Sequence, residues 1–260
     1  VLLASIPVPG FHFRPKDNAV FNLSGLEFGT LPGGGLGLLK GEAVFEGIDL
    51  VDDTQGTVLG PIAAKASVTD NVVTVRELRS GGLLLSGRVQ PNLETKKTRV
   101  EFSGEADLAD ARLKALLPKD SVSDTGGRLL VDRCAFTLAP GQTLPPDLQI
   151  DGSLREGRFT LTTPSYPDKF SQLTASFGYK GNRIAGKITA HSERLGTLSF
   201  DGQYVPAEWL LKGMFHLDIP TAAASLLPEG TGRNYAVPLA ERLGNSAFDL
   251  SLHLPGGKDD

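Results

Sequence analysis

Over most of this chain the apolar residues recur at every second position, and glycine repeatedly takes one of the apolar places. Leu198, Phe200 and Tyr204 alternate with Ser199, Asp201 and Gln203, while Ile184 and Ile188 alternate with Arg183, Ala185 and Lys187. A period of two belongs to strands whose two faces differ in polarity. The unit apolar-x-Gly-x-apolar recurs around Gly41, Gly87, Gly104, Gly152, Gly186, Gly202 and Gly213, with the glycine on the apolar face. A residue without a side chain there leaves a gap or permits a bulge, and either lets a sheet curl toward its apolar side. Glycine and proline, 31 and 17 of 260 residues, punctuate the chain too often for long helices. The expected fold is mainly β. Both an open, curved antiparallel sheet and a closed β-sandwich fit the alternation, because a sandwich also buries its inner face.

The pattern occurs twice. Leu85-Ser86-Gly87-Arg88-Val89-Gln90-Pro91 returns in type as Phe200-Asp201-Gly202-Gln203-Tyr204-Val205-Pro206. Each is followed by an apolar-x-Gly strand, at Val100 to Gly104 and at Trp209 to Gly213, and then by an Ala-rich stretch ending in Leu-Leu-Pro, at Pro118 and Pro228. Upstream, Ile62 to Val68 faces Leu173 to Tyr179, Asn71 faces Asn182, and Glu46 to Leu50 faces Glu156 to Thr160. Matches in one order predict two tandem β repeats. The expected organisation is an N-terminal arm and first strand over 1–34, repeat one over 35–140, repeat two over 141–230, and a last strand and tail over 231–260. Two short helices are expected, Ala111 to Leu117 capped by Asp110 and Ala222 to Leu227 capped by Thr221, each ended by proline. Gly141 to Pro146 reads as a linker, and Gly230 to Pro238 as a loop before a strand at Ala247 to Leu254.

The chemistry-bearing residues are sparse. One cysteine excludes an intrachain disulfide and a Cys-pair zinc site, and four scattered histidines form no metal-ligand pattern. No metal or cofactor is expected. His191 stands beside Ser192 and Glu193, but neighbours along a strand point to opposite faces. His216 falls on the polar face of its strand, and His12 lies in a Pro-flanked arm. The Gly33-Gly34-Gly35 run lacks the Lys-Ser/Thr and the long helix of a phosphate loop. Cys134 shares a face with Leu130, Phe136 and Leu138, as a buried small hydrophobe would. With a net charge of −4, nucleic acid is not the expected partner. A carbohydrate-active enzyme would need acidic pairs in an aromatic cleft, and aromatics make up 7% of the chain.

What remains is apolar surface without helices to cover it. Leu85, Val89, Phe102, Ile150, Phe177, Ile184, Ile188, Leu198, Phe200, Leu211 and Phe215 occupy the apolar register of their strands and are the candidate lining of a lipid-binding groove. The duplicated strands, the apolar-x-Gly-x-apolar units and the segment Asp107-Leu108-Ala109-Asp110-Ala111-Arg112-Leu113-Lys114-Ala115-Leu116-Leu117-Pro118 resemble the periplasmic repeats of the AsmA-like family of bacterial envelope proteins, the AsmA/TamB/YhdP group. The resemblance covers about Gly35 to Leu254. It implies an elongated half-pipe with an apolar lining and a place in the periplasm, tethered to the inner membrane through an N-terminal segment. It also implies a non-enzymatic role in phospholipid transport and outer-membrane homeostasis. The chain begins with Val1 and is read as a segment whose upstream residues are missing. The expected partner is a phospholipid or other acyl-chain lipid, with other envelope proteins as further partners. A scaffold domain that binds envelope proteins through a closed core and free edges would show the same alternation.

Overall fold

The computed structural model describes residues 11–30, 36–52, 56–92, 94–111, 122–139, 145–162, 167–208, 210–226 and 230–253. They form thirteen strands: β1 (Phe11–Thr30), β2 (Leu36–Asp52), β3 (Gly56–Thr69), β4 (Val72–Ser80), β5 (Leu83–Asn92) and β6 (Lys97–Asp107). Next come β7 (Val122–Leu138), β8 (Gln149–Leu161), β9 (Asp168–Lys180), β10 (Arg183–Ser192), β11 (Gly196–Val205) and β12 (Leu210–Asp218), and β13 (Asn245–His253) is last. Helices α1 (Ile219–Leu226) and α2 (Thr231–Leu243) lie between β12 and β13. All thirteen strands belong to one sheet, ordered as in the sequence. The fold is thus mainly β and antiparallel, and no second sheet covers the apolar face among the described residues. By internal contacts the chain divides into two compact units, Val1–Leu116 with Leu130–Ile150, and Leu117–Leu129 with Asp151–Asp260.

In the first unit, pairing lines the apolar residues up across β2 to β6. Phe45, Ala64, Leu78, Leu85 and Gly104 form one row, and Ala43, Ala66, Val75, Gly87 and Phe102 form the next. The glycines are staggered: Gly87 faces Phe102, and Gly104 faces Leu85. Each gap is filled by the side chain opposite, the Phe102 ring over Gly87 and the Leu85 methyls over Gly104. On β1 the same face carries Phe21, stacked on Phe45 at 6.5 Å and still half exposed. Buried Asp49 of β2 fastens the start of β1 through ion pairs with Arg14 and Lys16 at 3.7 and 3.5 Å.

In the second unit the glycines align instead. Gly186 pairs with Gly202, and Gly202 with Gly213, so a lane of three runs across β10, β11 and β12 between Phe177 of β9 and Leu250 of β13. Bulky rows flank this lane. One is Ala175, Ile188, Phe200, Phe215 and Phe248; the other is Tyr179, Ile184, Tyr204, Leu211 and Leu252. Relative to β5 and β6, the β11–β12 pairing is displaced by two residues. An even shift keeps every side chain on its face while changing which glycine meets which partner.

Some local arrangements occur in both units. Asp70-Asn71 joins β3 to β4 and Gly181-Asn182 joins β9 to β10, all four residues at positive φ, as two-residue hairpin turns of type I′ require. Gly82 packs against Asp107 and Asp110 just past β6, and Gly196 packs against Asp218 and Thr221 just past β12.

Several expectations are corrected. The helix after β12 begins at Ile219, and its cap is Asp218, whose carboxylate accepts hydrogen bonds from the Thr221 hydroxyl at 2.8 Å and its amide at 3.4 Å. Thr221 therefore sits inside the first turn. The expected loop from Gly230 to Pro238 is mostly helix α2, with Pro238 inside it. His12 lies in β1 rather than in an irregular arm. The body of the expected helix from Ala111 to Leu117, with its Leu-Leu-Pro end, lies outside the described residues, as do Pro228, Trp209, the Gly33 to Gly35 turn and most of the Gly141 to Pro146 linker.

Candidate functional site

The apolar face of the second unit encloses a cavity of about 690 Å³. This is within the ~300–1,000 Å³ of ordinary ligand sites. Twenty residues line it, from Phe159 on β8 to Leu250 on β13, and no carboxylate, ammonium, guanidinium or imidazole is among them. Of the candidate lining, Phe177, Ile184, Ile188, Leu198, Phe200, Leu211 and Phe215 come together here. Leu85, Val89 and Phe102 share a face in the first unit, and Ile150 belongs to that unit as well; none of these four lines the cavity.

The difference follows from register. With staggered glycines, as in β5 and β6, each vacancy is occupied from across the strand pair. With aligned glycines, as in β10 to β12, the vacancies merge into a trench. Phe200 bends its ring tip over the trench, so that a Cβ on Gly213 would lie 2.8 Å from Phe200 Cζ. The walls stay accessible: Ile184 is 39% exposed and Ile188 45%, values foreign to side chains of a closed core. Among the described residues the largest fully buried side chains are only two serines, Ser80 and Ser192.

Sequence reasoning missed Phe159, Phe170, Leu173, Ala175, Tyr204 and Leu250 as lining residues. Ala175 and Tyr204 keep strand period with Phe177 and Phe200, so the alternation already contained them. Phe170 and Leu173 are three apart yet reach one cavity, because Gln172 at φ 51° lies where the β9–β10 register shifts and an extra residue is inserted. The Phe159 and Phe170 rings stack at 4.7 Å and 14°.

One end of the trench is fixed by a buried polar knot. Ser192, wholly buried at the end of β10, donates to the Asp168 carboxylate and accepts from the amides of Leu195 at 2.8 Å and Arg194 at 3.2 Å. His191 is exposed on the other face of the strand, so Asp168, His191 and Ser192 do not converge as a catalytic triad would. Cys134 is half buried, and burial pushes its thiol up from the ordinary cysteine value. Among the described residues no group of three or more His, Cys, Asp or Glu is placed to hold a metal ion. No helix among them is long and apolar enough to cross a membrane. The chain matches no protein-family model, no curated protein and no solved structure.

Proposed function

We propose that this chain is a non-enzymatic lipid-binding module whose β8–β13 cavity shelters acyl chains, and that it serves phospholipid transport and outer-membrane homeostasis in a bacterial periplasm. The observation that carries the lipid part is a 690 Å³ cavity walled chiefly by Ile, Leu, Phe and Ala without one charged side chain. Such a surface rewards hydrocarbon and offers too few polar groups to hold a sugar, a nucleotide or a metal. Each CH₂ removed from water is worth about 0.8 kcal/mol, so a chain of about 16 carbons crossing unprotected faces a barrier above ~10 kcal/mol. A trench of this kind lowers the barrier without a chemical step. The compartment and the transport role rest on the resemblance of the repeats to AsmA-like proteins.

A second reading is a scaffold that meets other envelope proteins. It is favoured by β1, where Val20, Phe21 and Phe28 are each more than half exposed on a strand that, among the described residues, is paired on one side only.

The test is purification without detergent, followed by native mass spectrometry and by photocrosslinking from benzoylphenylalanine at Phe200 and, as the control on the opposite face, at Asp201. Lipid adducts from position 200 and not 201 are expected. Phe200→Asp should abolish them while the β circular dichroism persists, since a lone carboxylate is strongly disfavoured among acyl chains. Folded wild-type protein that carries no lipid and crosslinks to none leaves the scaffold reading.

A further inference from the structure

The two outermost strands among the described residues, β1 and β13, differ along their unpaired sides. β1 is broken by register shifts against β2 after Pro15 and on both sides of Glu27, and Gly25 within it takes a positive φ. Proline and bulges keep an edge from pairing with another strand. β13 carries neither. It pairs with β12 from Asn245 to His253 without a shift and holds no proline, lysine or arginine. Its row on the trench face is Phe248, Leu250 and Leu252, opposite Phe215, Gly213 and Leu211 of β12. Leu250 lines the cavity, whereas Phe248 and Leu252 are 45% and 46% exposed. The open amides and carbonyls of such an edge are satisfied as a set by another extended strand. The exposed Phe248 and Leu252 require that strand to bring apolar side chains to the same face.

β13 itself meets the requirement. Two copies running antiparallel about a two-fold axis at Leu250 set Phe248 opposite Leu252 of the second copy, and Leu250 opposite its own counterpart. On the polar face exposed Asp249 falls opposite exposed Ser251 of the second copy, a hydrogen-bonding pair, while the two Asp249 side chains lie on the diagonal, ~7–8 Å apart. An axis at Asp249 would bring the two carboxylates directly opposite each other, and one at Phe248 would leave Leu252 uncovered. Pairing of β13 with β1 of a second copy would build an open filament rather than a closed dimer, and the shifts in β1 oppose it. We propose that β13 pairs with β13 of a second copy in the Leu250-centred register, so that one antiparallel sheet and one apolar face run through the dimer. The proposal is independent of what the trench holds, and a lipid-free dimer satisfies it.

Sedimentation equilibrium of the intact chain at micromolar concentrations should show monomer and dimer and nothing larger. Ser251→Asp tests the register. In the single chain the new carboxylate faces Lys212 of β12, so the fold is kept, but in the dimer it faces Asp249 of the other copy at two symmetric places. Like charges directly opposite at both places should weaken dimerisation about 2- to 30-fold. A tagged Asp249→Lys chain should recapture Ser251→Asp, because lysine then faces aspartate. With Cys134 unchanged in both, Leu250→Cys should form an intermolecular disulfide through residue 250 under copper phenanthroline, since the two thiols meet at the axis. Ala247→Cys should not, its two copies lying six residues or about 20 Å apart. A single-chain mass at every concentration, assemblies larger than a dimer, a Ser251→Asp chain that dimerises as the wild type does, or Ala247→Cys bridging as readily as Leu250→Cys overturns the proposal.

Discussion

Placing one methyl group on Gly213 tests whether aligned glycines make the trench. A Cβ built there would run into the Asp201 carbonyl oxygen of the neighbouring strand and would lie 2.6 Å from Gly202 Cα and 2.8 Å from Phe200 Cζ, where ordinary contact begins near 3.4 Å. The ring must lift by about 0.6 Å and the neighbouring backbone by at least about 0.8 Å. A phenyl ring can swing aside, but a strand held on both sides by hydrogen bonds cannot, so the cost falls in the overpacking range of about 1–3 kcal/mol. Gly213→Ala should therefore lower the melting temperature, by about 2–4 °C per kcal/mol for a chain of this size, and lower the urea midpoint. Pairing it with Phe200→Ala separates the two contributions. Without the ring only the backbone contact remains, and the two changes should couple by about 0.5 kcal/mol or more. The readout is β circular dichroism during melting, with lipid uptake measured alongside. An unchanged melt in Gly213→Ala, or strictly additive costs in the pair, would refute the claim that the glycine seats the Phe200 ring.

Ser192→Ala strands the Leu195 and Arg194 amides and the Asp168 carboxylate in a buried place, so urea unfolding should show a loss of about 2–3 kcal/mol. Asp218→Ala removes the cap of α1 and should cost about 1 kcal/mol, with amide exchange rising first in Thr221 and its neighbours. The Arg99 guanidinium, 2.7 Å from Glu101 and helped by Arg133, holds that carboxyl below the ordinary glutamate value. The contribution of this pair is thus present above the unfolded value and is lost as pH falls through the lowered one. Carboxyl NMR should show the low midpoint, moving upward in Arg99→Gln and in high salt. Burial raises the Cys134 thiol, so its thiolate absorbance should appear at higher pH than in an unfolded control, and a disulfide reagent should react slowly at pH 8.

The strands were legible in the sequence because alternation is a local property: Phe200 and Leu198 share a face whatever lies beside them. The seven residues that meet in the cavity were found by that rule. Which glycine faces which partner was not legible, because register is decided by two strands together, and a shift of two residues leaves both patterns unchanged. That shift separates Phe102, lying over a single glycine, from Phe200, bending over a trench. Helix α2 was hidden for another reason. Gly230 and Pro238 read as the bounds of a loop, yet proline inside a helix removes one hydrogen bond, and here α1 packs against α2 and stabilises it. The Asp218 cap was missed because Thr221 is itself a capping residue type, whereas here the helix starts earlier and Pro220 fits its first turn, where a missing N–H costs nothing.

Among the described residues each strand is bonded to the strands just before and after it in the chain, and the two outermost strands, β1 and β13, have a strand on one side only. Such a sheet behaves as a one-dimensional chain of nearest-neighbour couplings. Its assembly pairs only strands adjacent in the chain, most of them across connections of a few residues, which favours fast folding for an all-β chain. Opening should proceed from the ends inward, with a cost that accumulates strand by strand rather than all at once. β13 is both an outermost strand among the described residues and, through Leu250, part of the cavity wall. A bound chain would therefore act as a missing neighbour for the strand most ready to peel away, and hydrogen exchange along β13 would slow in proportion to occupancy. The same logic sets the grammar by which such a protein can grow: a hairpin added at a free edge creates new couplings without rewriting any that exist.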